Sequence, residues 1–497
     1  MARVRECGYY DIIVIGCGIV GAAIARDLSR YALKIAVIDK SSDLPSGASR
    51  ANSSMLHGGF DDEPGLLKAK LCAKGNRMYR PLSEELDFKI RDCGSFVCAK
   101  GAEEEKHIEK LYEQGKANGV IGLEIVSGDK LREKEPNAAP DITAALWCSS
   151  GAIVNNFEAT LAFIDNACQN GASLFTETEV TGLLFDDAGA NISGVSTNRG
   201  NFRAPIVINA AGTYTDVISR MAGDDSFKIY PTRGEYFIFD RSAGNLVTSF
   251  LFSCPSALGK GITVARTADD NLLIGPTSVR QTDREDTGTT IPGLDEAFEG
   301  AKRLVPRIPR NMSITTFAGV RANIDIGDFC IKAADKPRGF VNVAGIKSPG
   351  FTSAPAIAEY VAEIIKDSFG GIVKLEKNPT FNPERKHIPR FSELSNEERA
   401  ELARKDPKWG QIVCRCESVT EAQVVEAVRR GARTVMGVKM WVRPGMGRCQ
   451  GGFCSPMVVE ILARELGLSP LEITRQGGNS KLLTGMTKSP LLPEELS

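Results

Sequence analysis

Two sets of residues in this chain have the types and spacing that chemistry demands. The first is Gly16-Cys17-Gly18-Ile19-Val20-Gly21, followed by Asp39. Glycines at this spacing let a strand turn sharply into a helix, let a pyrophosphate approach the backbone, and let the helix pack closely. The free N–H groups at the helix start then face phosphate, and a carboxylate at the end of the next strand accepts hydrogen bonds from ribose hydroxyls. The second set is Cys414, Cys416, Cys449 and Cys454. Two close pairs of thiolates, brought together by a folded module, suit either a [2Fe-2S] cluster or zinc. The chain has 13 cysteines, but the others are scattered singly. That distribution fits a metal site in a reducing compartment better than a disulfide framework.

These residues need elements to hold them. YDIIVIG predicts a strand, IVGAAIARDLSRY a helix, and KIAVIDK a second strand ending in Asp39, which together make one βαβ unit. Further on, β-rich runs such as GEYFIFD, NLLIGP and FVNVAG alternate with helical stretches such as FEATLAFIDNACQNG and SAPAIAEYVAEIIKD, so the class is α/β. Residues 370–408 are rich in Pro and charge and read as a linker, with a cysteine-bearing module at 409–460 and a polar tail at 461–497. No repeat of 20 to 50 residues supports a solenoid, on the scale such folds require of roughly 20–50 residues.

Bulk properties set the outer limits. At 497 residues the chain exceeds one ordinary core, and its 42% apolar and 25% charged composition is that of a globular protein. A net charge of -1 leaves no electrostatic footprint for nucleic acid. The longest apolar run, 12–25, is too short to span a bilayer. The N-terminal residues run directly into a strand pattern with no apolar core of a cleavable signal, so a cytoplasmic location without a transmembrane segment is expected.

After the βαβ unit come Ser46-Gly47-Ala48-Ser49-Arg50-Ala51-Asn52-Ser53 and Met55-Leu56-His57-Gly58-Gly59, and later Ile206-Val207-Ile208-Asn209-Ala210-Ala211-Gly212 and Val341-Asn342-Val343-Ala344-Gly345. Over roughly residues 8–367 these motifs resemble the D-amino-acid-oxidase-like superfamily of flavoproteins. Two relatives within it compete. His57-Gly58-Gly59, the run from Pro64 to Cys72, Arg233-Gly234-Glu235-Tyr236 and Ser348-Pro349-Gly350 look like L-2-hydroxyglutarate oxidase. The appended cysteines, with Phe317-Ala318-Gly319-Val320-Arg321 and Lys347, look like the catalytic subunit of anaerobic glycerol-3-phosphate dehydrogenase. One departure from that second family is Asp61-Asp62, where it typically has Arg-Tyr. Val413-Cys414-Arg415-Cys416-Glu417 and Gly447 to Cys454 are similar to bacterioferritin-associated ferredoxins, whose domains hold a [2Fe-2S] cluster; a zinc-stapled module is the competing reading.

The resemblance implies a Rossmann-like FAD-binding domain in three pieces (about 8–90, 150–220 and 320–367 of a domain covering 1–369). It implies a β-rich substrate cap from about 91–149 and 221–319, and a small C-terminal helical [2Fe-2S] domain. The cofactors implied are FAD and the cluster. Contacts to FAD are expected from Gly16, Gly18, Gly21, Asp39, Lys40, Ser49, Arg50, Asn52, Ser53, Val180, Ala211, Gly212, Gly345, Gly350, Phe351 and Thr352. Of the 3 histidines, His57 lies in the motif placed near the flavin, as a base or as a structural or flavin-contact residue. Arg321 is expected at the substrate's anionic group or carbonyl, against a surface or cofactor-phosphate arginine, and Lys347 beside reduced flavin or substrate. Arg233 belongs either to a paired-arginine anion site or to a salt bridge with Glu235 or another acid.

The function implied is dehydrogenation of a small anionic secondary alcohol, with glycerol 3-phosphate leading and L-2-hydroxyglutarate or another 2-hydroxy acid next. An amino acid or opine substrate, or a non-enzymatic electron-transfer subunit, remain as alternatives. No second GxGxxG is present for NAD, so a second flavoprotein or a quinone-linked subunit is implied as acceptor.

Overall fold

The computed structural model describes residues 5–254 and 261–485. The chain divides into two compact units. One comprises the residues up to Lys40 together with Leu44–His387, the other Ser41–Asp43 and the chain from Ile388 onward.

In the first unit, the run that begins as IIVI forms the strand Ile12–Ile15, buried along its whole length. It lies inside a six-stranded sheet ordered Ser173–Phe175, Ile35–Ile38, Ile12–Ile15, Ile206–Asn209, Phe340–Ala344 and Cys330–Ala333. All neighbours are parallel except the last pair. Continuous apolar strands are what a sheet covered on both faces requires. Helices Ile19–Leu28, Asn156–Gln169 and Gly350–Phe369 pack together on one side. On the other, Val195 and Phe202 of a four-stranded sheet (Glu6–Tyr9, Gly200–Arg203, Ile192–Thr197, Val180–Phe185) join Ile13, Ile15, Val207 and Phe340 in one core. Strand order reverses at Ile12–Ile15, and in open α/β sheets ligands bind outside the carboxyl ends of strands at such a point.

A nine-stranded sheet forms the cap. Its longest pairing joins Ile229–Phe239 to Ser313–Ile324 in antiparallel register, with Thr232 opposite Arg321 and Arg233 opposite Val320. Phe237 and Phe239 pack with Ala297, Phe298 and Ala301 of helix Ile291–Lys302. Strand Ser313–Ile324 is continuous through residue 320, where the sequence suggested a change of domain.

The second unit is small and helical. A two-stranded ribbon, Ile412–Cys414 with Val419–Thr420, leads into helices Glu421–Arg429, Val435–Val442 and Ser455–Leu466. Val424, Val438 and Leu462 are fully buried in it. The stretch read as a linker is ordered. Arg385 Nε donates to Asp165 Oδ2 at 2.8 Å within the first unit, and Asn396–Lys405 forms a helix opened by a Ser395–Glu398 capping box. The segment read as a tail begins inside helix Ser455–Leu466, and its residues 486–497 lie outside the described residues, as do 1–4 and 255–260 of the larger domain. Among the described residues no helix is long and apolar enough to cross a membrane.

Candidate functional site

At the carboxyl end of Ile12–Ile15 the glycine turn is as tight as its sequence requires. A Cβ on Gly21 would stand 1.9 Å from the Gly16 carbonyl oxygen, and one on Gly16, at φ +93°, would stand 2.5 Å from the Ala210 carbonyl oxygen. Gly18 caps helix Ile19–Leu28 with no side-chain hydrogen bond, and the Ile19 N–H donates to Ser49 Oγ at 2.9 Å. Asp39 is buried, and its Oδ2 accepts the Cys17 N–H at 2.7 Å. The cradle thus has a helix N-terminus aimed at phosphate and a carboxylate for ribose, so its residues fit a dinucleotide.

The neighbouring expected contacts gather around it. Asn52 Nδ2 donates to the Ala48 and Ser49 carbonyls, and the Ser54 N–H donates to Asn52 Oδ1, which organises the turn containing Arg50 and Ser53. Val180 opens a strand two residues after Thr178, whose N–H donates to the Asp39 carbonyl. Ala211 and Gly212 follow strand Ile206–Asn209 after Ala210. Lys40 has a different engagement: its ammonium sits 2.5 Å from Glu285 Oε1 and over the Tyr214 ring. Sequence reasoning missed buried Asn156, which donates to the Ser49 and Arg50 carbonyls and ties this loop to a helix start. Asn followed by a helical pattern was its only signal.

A second group of residues meets at the start of helix Gly350–Phe369. The His57 N–H donates to Thr352 Oγ1 at 2.9 Å, and Ser348 Oγ lies 3.3 Å from His57 Nε2. His57 Nδ1 lies 2.9 Å from Asp61 Oδ2, off the direction of a ring N–H hydrogen bond. The imidazole is 8% exposed as a residue and its ring centroid is 5.9 Å from that of Phe252. Gly345 and Lys347 occupy the half-turn ahead of the helix, where the Gly350 N–H donates to the Lys347 carbonyl. Phe351 is engaged by Tyr79, whose hydroxyl donates to the Phe351 carbonyl at 2.7 Å while the two rings stack. Tyr79 carried no signal in the sequence beyond helical spacing.

The two cap arginines part company. Cross-strand partners share a face of a sheet, so Arg321 lies with Thr232 and Gly234, while Arg233 lies with Val320 on the other side. A Cβ on Gly234 would meet Arg321 Nη2, and Arg321 donates to the Thr277 carbonyl. Its Nε is buried without a hydrogen-bond partner, an orphan on the face where a Cβ on Gly319 would meet the Ala51 carbonyl of the dinucleotide loop. Arg233 instead bridges Asp286 at 2.6 Å and fully buried Glu235 at 3.3 Å. The structure therefore places Arg233 in salt bridges and does not bring it together with Arg321.

In the second unit the four cysteines stand as two pairs. Cys416 and Cys449 are exposed, with sulfurs 3.9 Å apart. Cys414 and Cys454 are buried. A hydrogen bond from Cys454 lowers the Cys414 thiol to about 6 against the opposing effect of burial, helped by the Gly445 and Glu417 amides, and the same pairing raises Cys454. Cys449 is lowered, chiefly by the Phe453 amide. A Cβ on Gly447 would stand 2.3 Å from that of Cys416, so the loop admits only glycine there. Among the described residues no group of three or more His, Cys, Asp or Glu side chains converges as metal ligands. Four thiols with amides directed at sulfur are nevertheless the donor set that iron–sulfur centres use.

Comparison with known proteins finds matches for both parts of the chain. The chain is 46% identical over 482 residues to "Glycerol 3-phosphate dehydrogenase" of Caloramator mitchellensis, covering 97% of this chain and 99% of that one. It is 26% identical over 423 residues to the human mitochondrial L-2-hydroxyglutarate dehydrogenase, covering 74% and 91%. Among solved structures, the dithionite-reduced L-alpha-glycerophosphate oxidase of Mycoplasma pneumoniae with FAD bound matches with a TM-score of 0.71 and 30% identity over 76% of this chain and 98% of that one. Residues 412–464 match the BFD-like [2Fe-2S] binding domain. With residues 11–364 matching the family described as FAD dependent oxidoreductase, this chain belongs to that family and carries a [2Fe-2S]-binding domain later in its sequence.

Proposed function

We propose that this FAD-dependent oxidoreductase oxidises glycerol 3-phosphate to dihydroxyacetone phosphate and sends the electrons through its [2Fe-2S] domain to a partner flavoprotein or quinone-linked subunit in the cytoplasm. The observation that carries the reading is the 46% identity across 97% of the chain, a span long enough to include the cysteine module. Bound FAD would supply the two-electron acceptor, and a one-electron carrier on the same chain lets the pair leave singly. An enzyme that reduced oxygen directly would need no such carrier.

Gly16, Gly18, Gly21 and Asp39 hold the pyrophosphate and ribose of FAD, with Ser49, Arg50, Asn52, Ser53, Val180, Ala211 and Gly212 around them. Gly345, Gly350, Phe351 and Thr352 form the wall at the other end. His57 takes the substrate hydroxyl proton. Arg321, with its unpartnered Nε, and Lys347 hold the anionic end of the substrate. The carboxylates at Asp61-Asp62 do not bar an anion, because each is engaged: Asp62 pairs with Lys68 at 3.2 Å and Asp61 faces His57. Cys414, Cys416, Cys449 and Cys454 hold the cluster.

The test is anaerobic. The purified protein is mixed with glycerol 3-phosphate and, separately, with L-2-hydroxyglutarate, and flavin bleaching is followed with iron and zinc measured on the same sample. Rapid bleaching by glycerol 3-phosphate alone, with two iron atoms per chain as a [2Fe-2S] cluster requires, is expected. Bleaching by the hydroxy acid alone overturns the substrate, and zinc in place of iron overturns the electron route.

A further inference from the structure

The fold gives Asp61 a position that is built rather than incidental. The loop after His57 is pinned on both sides of it. Asn118 Nδ2 donates to the Gly59 carbonyl at 2.9 Å and to the Asp62 carbonyl at 2.8 Å. Asp62 is in turn paired with Lys68. Between these anchors the Asp61 carboxylate, 19% exposed, comes within 2.9 Å of His57 Nδ1. The imidazole is held from its other sides by the Thr352 contact to its main chain, the Phe252 ring and the Ser348 hydroxyl at Nε2.

Asp61 Oδ2 lies off the line of a ring N–H hydrogen bond, so it acts through its charge: a carboxylate 2.9 Å from Nδ1 favours the imidazole tautomer that carries its proton there over one that turns the Nδ1 lone pair toward it, and so leaves the lone pair on Nε2. Nε2 is the nitrogen that faces Ser348, in the half-turn that holds Lys347. When the substrate's O–H bond breaks, its electron pair enters the forming C=O bond and the proton goes to Nε2; FAD, when bound, would take up the carbon-bound hydrogen with its two electrons. The imidazolium so formed lies beside a half-buried negative charge, as in other histidine–carboxylate pairs.

We infer that Asp61 is a positioning residue that selects the Nδ1-protonated tautomer of His57 and stabilises the imidazolium formed when His57 accepts the substrate proton. This rests on the reading of His57 as proton acceptor, and the experiment separates the two. The FAD-loaded full chain is prepared as wild type, Asp61→Asn, Asp61→Glu and His57→Gln. Each is examined for the rate and substrate dependence of flavin bleaching by glycerol 3-phosphate, and nitrogen NMR of the labelled histidines reports which ring nitrogen of His57 carries the proton.

Asp61→Asn is expected to slow bleaching at saturating substrate by about 100-fold, the scale of a disabled general base, with KM little changed. Asp61→Glu is expected to recover much of that loss, and wild-type His57 to show Nδ1–H. If His57→Gln is slow while Asp61→Asn bleaches within about threefold of wild type, Asp61 has no such role and the proton-acceptor reading stands. Wild-type bleaching by His57→Gln overturns that reading and this one with it. Should Asp61→Asn fail to retain FAD, the wild-type spectrum decides: a proton on Nε2 overturns the inference, and one on Nδ1 supports it.

Discussion

Gly21 shows how little room the cofactor cradle leaves, since the Cβ of an alanine would stand 1.9 Å from a backbone oxygen that cannot move without opening the turn. Gly21→Ala is expected to purify with well under half the flavin of wild type, read as flavin absorbance per mole of protein. The two cap arginines predict opposite phenotypes. Arg233→Ala strips the salt bridge from Glu235, whose carboxylate is fully buried. It is expected to lower stability by about 3 kcal/mol in urea denaturation, the cost of an uncompensated buried charge, without a selective rise in KM. Arg321→Ala, on the opposite face, is expected to raise KM for the anionic substrate by about 30-fold or more with a smaller stability change. Both arginines were visible in the sequence, and so were both readings of Arg233. Only the strand register, with Arg233 opposite Val320 and Arg321 opposite Thr232, separates them.

At the scale of elements, the loop of Arg284, Glu285 and Asp286 carries three consecutive ionic ties. Arg284 grips Asp216 through both carboxylate oxygens, Glu285 reaches Lys40 and the Tyr214 hydroxyl, and Asp286 reaches Arg233. These ties join the cap to the segments that follow Asp39 and Gly212. Glu285→Gln is expected to speed FAD release by about two- to fivefold, the scale of one exposed pair, and to blunt its dependence on salt. Burial alone raises the Asp216 carboxyl, but the Arg284 hydrogen bonds and charge outweigh it and hold the group below the ordinary carboxylate range. A carboxyl lowered on folding contributes stability above its unfolded value and loses it as pH falls through the folded value. FAD retention is therefore expected to be flat from neutrality to about pH 4 and to fail below it, and Arg284→Ala should move that failure to higher pH, measured by flavin fluorescence released on titration.

Across the whole molecule the two units have separate cores, and their chemistry should separate too. Cys416→Ser is expected to lower iron content while flavin bleaching by substrate persists and electron delivery to a one-electron acceptor falls; loss of bleaching itself would show that the cluster is needed for the first step. Much of this architecture could be read along the chain, because its signals are local. The βαβ unit with Gly16 to Asp39 and the paired cysteines are short-range patterns of residue type and spacing, and continuous apolar strands such as IIVI report burial by themselves. What the sequence alone determined, therefore, is the kind of chemistry: a dinucleotide cradle and a four-thiol module on one chain. The tertiary structure decided which polar residues meet, because strand register and loop closure join positions far apart in sequence. His57 reaches Thr352 and Ser348, Asn156 reaches Ser49, and Lys40 reaches Glu285 only after the sheet and cap have folded. No local spacing encodes such contacts, since each depends on the packing of elements that the intervening chain must first build.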